Sequence, residues 1–222
     1  MWIHPPDFLR EIAKQCKKHN VLLIADEVAT GFGKTGSMFA VELAEVLPDI
    51  MVLGKGLSAG YLPLSCALTS EEIYSAFLGE PQELKQFFYG QTFAGNPLAA
   101  SVATANLDLF LEPGFFQGVC ERMIYFQKEL KTKIHPLPNV EEVRSFGVMT
   151  AIELTKTPGQ KNPYPIAELI GQKIVWSARK KGIVIRPLGN AMVLMPPLVM
   201  KEQDISKLVD TTAESINEVC GQ

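Results

Sequence analysis

Two short runs of apolar residues, 21–25 and 50–53, strongly restrict the fold of this chain. Every position in each run is apolar, and this is typical of strands that are buried on both faces, as in parallel sheets. A helical pattern over residues 37–47 separates the two runs, and a third apolar run follows at residues 62–68. Strand, helix and strand with short connections predict an α/β domain with a parallel or mixed sheet.

The second half of the chain has a different pattern. Hydrophobic periodicity predicts helices over residues 96–111, 116–134, 166–181 and 202–219, and strands over residues 140–146, 148–154, 183–185 and 191–195. A Glu-Pro-Gly break follows the first of these helices. We therefore expect an α/β part in residues 1–112 and a smaller α+β part in residues 113–222.

Composition excludes several classes of function. The net charge is −3 and no basic run occurs, which argues against a nucleic-acid-binding surface. No apolar run reaches the roughly 18 residues that a membrane-spanning helix needs. The four cysteines are scattered without metal-ligand spacing, as in proteins of a reducing compartment, so we expect no metal site and a cytoplasmic location.

A carboxylate and a lysine follow the first two predicted strands. Asp26 comes directly after residues 21–25, and Lys55 lies between two glycines just after residues 50–53. Open α/β sheets bind ligands at the carboxyl ends of their strands. A lysine that forms a Schiff base with an aldehyde and an aspartate that pairs with a pyridine nitrogen together suit pyridoxal 5'-phosphate. Taken alone, each residue also fits a plain turn, with the lysine in solvent and the aspartate as turn former.

A glycine motif over residues 31–36, Gly-Phe-Gly-Lys-Thr-Gly, matches a dinucleotide fingerprint only in its spacing. The fingerprint requires glycines directly after a strand and an acidic residue about 20 positions later. Five residues intervene here and that acidic residue is lacking. We therefore do not expect a nucleotide site.

Longer motifs resemble one family. Residues 23–36 (LIADEVATGFGKTG), followed by PDI at 48–50 and GKG at 54–56, resemble the signature of class III (subgroup II) aminotransferases, which are fold-type I pyridoxal-phosphate enzymes. Residues 90–97 (GQTFAGNP) and 185–197 (IRPLGNAMVLMPP) most resemble members that act in biotin biosynthesis. The resemblance implies transfer of an amino group from S-adenosylmethionine, or lysine, to 8-amino-7-oxononanoate, giving 7,8-diaminononanoate.

The same resemblance implies roles for particular residues. Lys55 would be the Schiff-base lysine and the acid and base of catalysis, and Asp26 would be the partner of the pyridine nitrogen. The family further implies a homodimer with shared active sites. In it, Gln91 and Thr92 would contact the cofactor phosphate of the neighbouring subunit, and Gly90 would lie near the substrate. Arg186 would bind the carboxylate of the substrate.

The chain resembles only the C-terminal half of the family's chain. The family's phosphate-binding glycine/serine loop belongs to the other half, so we expect a fragment that binds cofactor weakly and turns over little. Gln91 stands where relatives often carry proline or histidine. Three functions remain open: the biotin-pathway aminotransferase, another class III ω-aminotransferase or aminomutase that shares Lys55 and Asp26, and a non-catalytic remnant.

Overall fold

Three strands form the sheet of the first half of the chain: β1 (Ile24–Asp26), β2 (Ile50–Leu53) and β3 (Cys66–Thr69). Their order is β1-β2-β3, with β1 parallel and β3 antiparallel to β2, so the sheet is mixed. The computed structural model describes residues 1–221. These divide into an N-terminal unit of residues 4–116 and a C-terminal unit of residues 117–221 together with residues 1–3.

Four helices accompany this sheet: α1 (Pro6–Lys18), α2 (Ala40–Leu43), α3 (Glu71–Ser75) and α4 (Pro97–Leu111). The longest, α4, begins where Asn96 Oδ1 accepts hydrogen bonds from the amides of Leu98 (2.9 Å) and Ala99 (3.5 Å). Proline at the first helical position and asparagine at the N-cap together favour a helix start here. The predicted helix over residues 96–111 is confirmed.

Three predictions for this unit are wrong in detail. The strand predicted over residues 62–68 forms only at Cys66–Thr69. The strand predicted over residues 21–25 forms at Ile24–Asp26, and Ile24 is 60% exposed rather than buried on both faces. In the described chain β1 lies at the edge of a three-stranded sheet, with β2 as its hydrogen-bonded neighbour. The helix predicted over residues 37–47 is only Ala40–Leu43, since Glu45 takes a positive φ of 54° that ends it.

The second half of the chain contains α5 (Phe115–Lys133), β4 (Val140–Phe146), β5 (Met149–Leu154), α6 (Ile170–Lys180), β6 (Arg186–Leu188), β7 (Ala191–Leu194) and α7 (Glu202–Cys220). The four strands form an antiparallel sheet in the order β4-β5-β7-β6. Gly147, with a φ of 60°, makes the tight turn between β4 and β5. Two elements differ from those predicted. β6 begins after residues 183–185 and not within them. The helix predicted over residues 166–181 begins only at Ile170, because Leu169 takes a positive φ of 49°.

Apolar faces of three helices and two strands build the core of the C-terminal unit. On α5 the buried residues follow one another mostly at intervals of three or four, so they share one face of the helix, and α6 and α7 each bury one face in the same way. The fully buried large side chains of this core are Phe126, Leu130, Ile134, Ile152, Leu154, Ile174, Met192, Leu194, Val209 and Ile216. Among residues 1–221, no helix is both long and apolar enough to cross a membrane.

Truncating one of these core side chains tests the packing. Ile152 on β5 has no exposed surface, so Ile152→Ala removes buried methylenes and leaves a cavity. We expect the free energy of unfolding of the C-terminal unit to fall by about 2–5 kcal/mol in urea titrations. Ile166→Ala is the matched control, because Ile166 is 87% exposed, and it should change stability by less than about 0.5 kcal/mol. Equal losses in both variants would contradict this description of the core.

Candidate active site

The parallel pairing of β1 and β2 brings the two predicted active-site residues to one edge of the sheet. Asp26 is the last residue of β1 and lies opposite Val52. Lys55 follows Val52 by three residues, just beyond the end of β2. Since both strands run in the same direction, the carboxylate and the lysine share the carboxyl edge of the parallel pair.

Lys55 begins a 3₁₀ turn, Lys55–Ser58, which we call the lysine turn. Its φ is 41°, in the left-handed region, where a residue with a Cβ costs about 1 kcal/mol or more. Two hydrogen bonds close the turn: Leu57 N donates to Gly54 O (3.0 Å), and Ser58 Oγ donates to Leu62 O (2.5 Å). The surrounding structure therefore holds Lys55 in an unfavourable backbone conformation, as is common at functional sites.

An open cleft of about 1010 Å³ lies beside the lysine turn within the N-terminal unit. Lys55, Gly90 and Gln91 all line it, so the structure brings together three of the predicted site residues. Its other walls are largely apolar or aromatic and come from the end of β2, the segment before β3 and the loop before α4; they include Val52, Tyr61, Leu62, Pro63, Leu64, Cys66, Tyr89 and Phe93. The cleft can thus accept a ligand with apolar parts next to a reactive amine.

Thr92 stands between two cleft-lining residues but is not itself among the described residues that line the cleft. It is exposed in the turn before α4. The neighbouring Gln91 is also exposed, and its Nε2 donates to the hydroxyl of Tyr89 at 2.8 Å. The roles predicted for Gln91 and Thr92 stay predictions.

Asp26 is exposed, and its Oδ1 accepts a hydrogen bond from the backbone amide of Val28 at 2.9 Å. This contact, two residues along the chain, is the local turn geometry that aspartate favours. It orients the carboxylate at the end of β1. Because the side chain remains exposed, it can accept a further hydrogen bond from a ligand.

Glu27, the next residue, is buried, with 2% of its surface exposed. Its Oε1 accepts from the amide of Val41 at 2.8 Å, and its Oε2 accepts from the hydroxyl of Thr30. A buried carboxylate is tolerated when hydrogen bonds satisfy it. Glu27 thereby ties the loop after β1 to the start of α2, a role that the sequence left open.

Close packing requires glycine at position 56. A Cβ there would lie 2.9 Å from both Cβ and Cδ2 of Phe32, a residue that is 2% exposed. Phe32 belongs to the glycine motif of residues 31–36, so the motif acts here by packing against the lysine turn. This is the close backbone approach that glycine permits.

Arg186 lies in the C-terminal unit, where it is the first residue of β6 and pairs with Val193. Arg186 is exposed, whereas all four residues of β7 are buried. Pro187 packs on α6, because a Cβ on Gly171 would come within 2.6 Å of the proline Cβ. The exposed guanidinium can meet a carboxylate, which its planar geometry suits.

Lys34 offers a second amine in a glycine-containing segment. Its side chain is partly buried, and burial lowers the pKa of Lys34 because the charged form loses solvation. Lys34 is not among the described residues that line the cleft. Within residues 1–221, no cluster of three or more His, Cys, Asp and Glu side chains has the arrangement of a metal site.

Sequence reasoning missed one polar residue beside the lysine turn. Asn106 on α4 is buried, and its Nδ2 donates to Gly56 O (2.8 Å) and Leu57 O (3.2 Å). A signal existed, since Asn106 falls on the same helical face as the buried Ala99 and Ala103. A single amide on an otherwise apolar face indicates a specific hydrogen-bonding partner.

Comparison with known proteins agrees with this geometry. The family model described as "Aminotransferase class-III" matches residues 1–216. The chain belongs to the class-III aminotransferases. Members of this class depend on pyridoxal phosphate, and the chain has a partial fold-type I architecture.

Two named aminotransferases are similar in sequence to this chain. The adenosylmethionine-8-amino-7-oxononanoate aminotransferase of Geobacter sulfurreducens is 42% identical over 221 residues, covering 100% of this chain and 49% of that protein. The enzyme of the same name from Aquifex aeolicus is 45% identical over 215 residues, covering 97% and 47%. The chain spans about half the length of the curated relatives it matches.

Solved structures of aminotransferases superpose well on this chain. The crystal structure of adenosylmethionine-8-amino-7-oxononanoate aminotransferase from Methanocaldococcus jannaschii gives a TM-score of 0.93 at 42% identity, covering 99% of this chain and 51% of that one. A transaminase from the marine bacterium Virgibacillus gives a TM-score of 0.89 at 31% identity, covering 99% and 50%.

The thiol of Cys66 provides a test of the cleft. Cys66 lines it, and burial raises the pKa of the Cys66 thiol because the thiolate loses solvation. The thiolate is the reactive form, so alkylation should reach its half-maximal rate at a higher pH than in the unfolded chain. We expect iodoacetamide at pH 8 to label Cys66 more slowly in the folded chain than in urea, by mass spectrometry of the Cys66 peptide. Equal rates in both would contradict burial of this thiol.

Proposed function

We propose that this chain forms part of an aminotransferase of biotin biosynthesis. The reaction is transfer of an amino group from S-adenosylmethionine, or lysine, to 8-amino-7-oxononanoate, which gives 7,8-diaminononanoate. The observation that carries the reaction type is the pairing of β1 with β2, which puts Asp26 and Lys55 at one sheet edge. The substrates are supported by the names of the relatives that are 42–45% identical.

The donor set at the sheet edge fits pyridoxal 5'-phosphate. An exposed carboxylate can pair with the protonated pyridine nitrogen, and an exposed lysine beside an open cleft can reach an aldehyde. When bound, the cofactor supplies an aldehyde that takes up amino groups and a ring that withdraws electron density. Asp26 and Lys55 are the residues of this chain that would hold it.

Each of these two residues has a distinct task. Asp26, oriented by the Val28 amide, would hold the pyridine nitrogen in its protonated form through its negative charge. Lys55 would supply the amine that holds the cofactor, and the same amine would carry a proton to and from the substrate carbon. The left-handed backbone at Lys55 places that amine at the cleft instead of continuing the strand.

The remaining site residues act in binding. Gly90 lines the cleft and would lie next to the substrate, where its lack of a side chain leaves room for a ligand. Gln91 and Thr92 would bind the cofactor phosphate of a neighbouring subunit, and such a contact requires a homodimer with shared active sites. Arg186 binds the substrate carboxylate through a bidentate pair of hydrogen bonds. We place the enzyme in the cytoplasm, in keeping with four cysteines that form no disulfide within residues 1–221.

The two parts of the chain correspond to two domains of the complete enzyme in this proposal. Residues 1–112 are the C-terminal portion of the large cofactor-binding domain, and residues 113–222 are the small α+β domain. The observed change from a mixed three-stranded sheet to an antiparallel four-stranded sheet supports this assignment. The chain itself spans about half of its relatives, so its own turnover is expected to be low.

A second candidate is an ω-aminotransferase with other substrates. An (S)-enantioselective ω-transaminase from Thermomicrobium roseum superposes with a TM-score of 0.88 at 32% identity. The biotin-pathway relatives are more similar in sequence. In a longer protein that contains this chain, assay of amine acceptors separates the candidates: turnover of simple ketones but not of 8-amino-7-oxononanoate favours the second.

Reductive trapping tests the assignment of Lys55. The chain is incubated with excess pyridoxal phosphate and reduced with borohydride, and peptide mass spectrometry locates the stable adduct. We expect the main adduct on Lys55, because its amine lines the cleft, and loss of that adduct in Lys55→Ala. Lys34→Ala is the control, since burial lowers the pKa of Lys34 and makes its amine a competitor. A main adduct on Lys34, or labelling spread over exposed lysines, would overturn the assignment.

Substrate selectivity tests Arg186 in a longer protein that contains this chain. Arg186→Gln removes a charged partner of the substrate carboxylate, which is worth about 1.5–3 kcal/mol. We expect kcat/KM for 8-amino-7-oxononanoate to fall about 10- to 100-fold, while the methyl ester of the same compound is turned over as by the unaltered enzyme. Arg179→Gln on the exposed side of α6 should change neither value. A similar loss for acid and ester would rule out a carboxylate contact.

A further inference from the structure

Asn106 makes a long-range contact that no local pattern explains. Its Nδ2 donates to two successive carbonyls of the lysine turn, Gly56 O at 2.8 Å and Leu57 O at 3.2 Å. Some 50 residues of chain separate the donor from these acceptors. The contact therefore joins α4 directly to the segment that carries Lys55.

The surroundings make this contact hard to replace. Asn106 is 9% exposed, and Ala103, one turn earlier on α4, is 6% exposed. Ala103 packs with Phe32, Leu53 and Leu57 in the apolar cluster beneath the turn. Gly56 O also accepts a hydrogen bond from the amide of Ala59 (3.3 Å), so loss of the Asn106 amide weakens the bonding of Gly56 O and removes the donor to Leu57 O. A carbonyl deprived of its donor in such a place keeps its desolvation penalty, and this disfavours the present arrangement of the turn.

The lysine turn needs support from outside itself. Lys55 has a left-handed backbone, and such conformations persist only when the surrounding structure over-determines them. Leu57 is held by apolar packing, which is not directional, whereas the Asn106 amide fixes two carbonyls in position. The helix that carries Asn106, α4, is 15 residues long and has Asn96 as its N-cap, so Asn106 extends from a regular, capped helix.

We propose that Asn106 is a positioning residue that holds the lysine turn so that the amine of Lys55 faces the cleft. The amide acts through the backbone of Gly56 and Leu57 and does not touch the cofactor or substrate. The proposal rests on Lys55 being the reactive amine, as in the proposed function. A positioning role differs from a general packing role, because it predicts a change in the reactivity of the Lys55 amine beyond any loss of stability.

Competitive labelling of amines measures the reactivity of the Lys55 amine in the absence of cofactor. The chain is treated with a trace of acetic anhydride, and the labelling of Lys55 is expressed relative to Lys17, a lysine in the last turn of α1. In Asn106→Leu and Asn106→Ser the ratio should move at least about fivefold towards its value in the urea-unfolded chain, because a hydrogen bond to the turn is lost. Asn106→Ser, the milder change, serves where Asn106→Leu folds poorly, as judged by circular dichroism.

Ala103→Gly is the matched control. It weakens α4 and its packing by about as much as a lost hydrogen bond, yet it keeps the Asn106 amide. We expect the Lys55 ratio in Ala103→Gly to stay within about twofold of the unaltered chain at comparable loss of stability. If the Asn106 variants leave the ratio unchanged, or if Ala103→Gly shifts it equally, Asn106 has only a structural role and the proposal is overturned.

Trapping with pyridoxal phosphate and borohydride adds a second readout. The adduct on Lys55 should form more slowly in both Asn106 variants than in Ala103→Gly at the same cofactor concentration. If the unaltered chain forms its main adduct on another lysine, the assignment of Lys55 in the proposed function fails, while the acetic anhydride ratio still decides the role of Asn106. The two failures are thus distinguishable.

Discussion

The candidate site depends on the parallel pairing of β1 with β2. Because Asp26 lies opposite Val52 and the strands run in the same direction, the residues after both strands emerge at one edge of the sheet. Antiparallel pairing would put the carboxylate and the lysine at opposite edges. β3 runs antiparallel on the other side of β2 and brings Cys66 opposite Leu53, which closes one wall of the cleft. The order and direction of three short strands thus place the chemical groups.

Buried polar side chains hold the loops that leave this edge. Glu27 fixes the loop after β1 by bonding to Thr30 and to the amide of Val41. Asn106 fixes the turn after β2 from α4. Each group is satisfied by hydrogen bonds, and this is what makes its burial tolerable. The Asn106 contact and the packing of Phe32 against Gly56 support the turn that carries the strained backbone of Lys55.

Prediction from the sequence was most accurate for long periodic helices. Residues 96–111 carry a proline, an asparagine cap and a sustained apolar pattern, and the helix forms at Pro97–Leu111. The short element at residues 37–47 was overestimated, because a positive φ at Glu45 ends α2 early. The prediction that β1 is buried on both faces was wrong. Burial of a strand depends on which elements pack beside it, and the apolar run alone does not specify those elements. The fold-type I class and the family followed from motifs that are contiguous in the sequence.

Local motifs by themselves determined the chemistry to expect here. A carboxylate and a lysine after successive apolar strands, in segments of class III type, indicate an aminotransferase with pyridoxal phosphate. Only the tertiary structure decided how these groups are held. Lys55, Gly90 and Gln91 line one cleft, Glu27 accepts a hydrogen bond from the amide of Val41, and Asn106 contacts the lysine turn. The physical reason is distance along the chain. These contacts join residues 14 to 50 positions apart, and only the folded packing of helix, sheet and loop makes them neighbours.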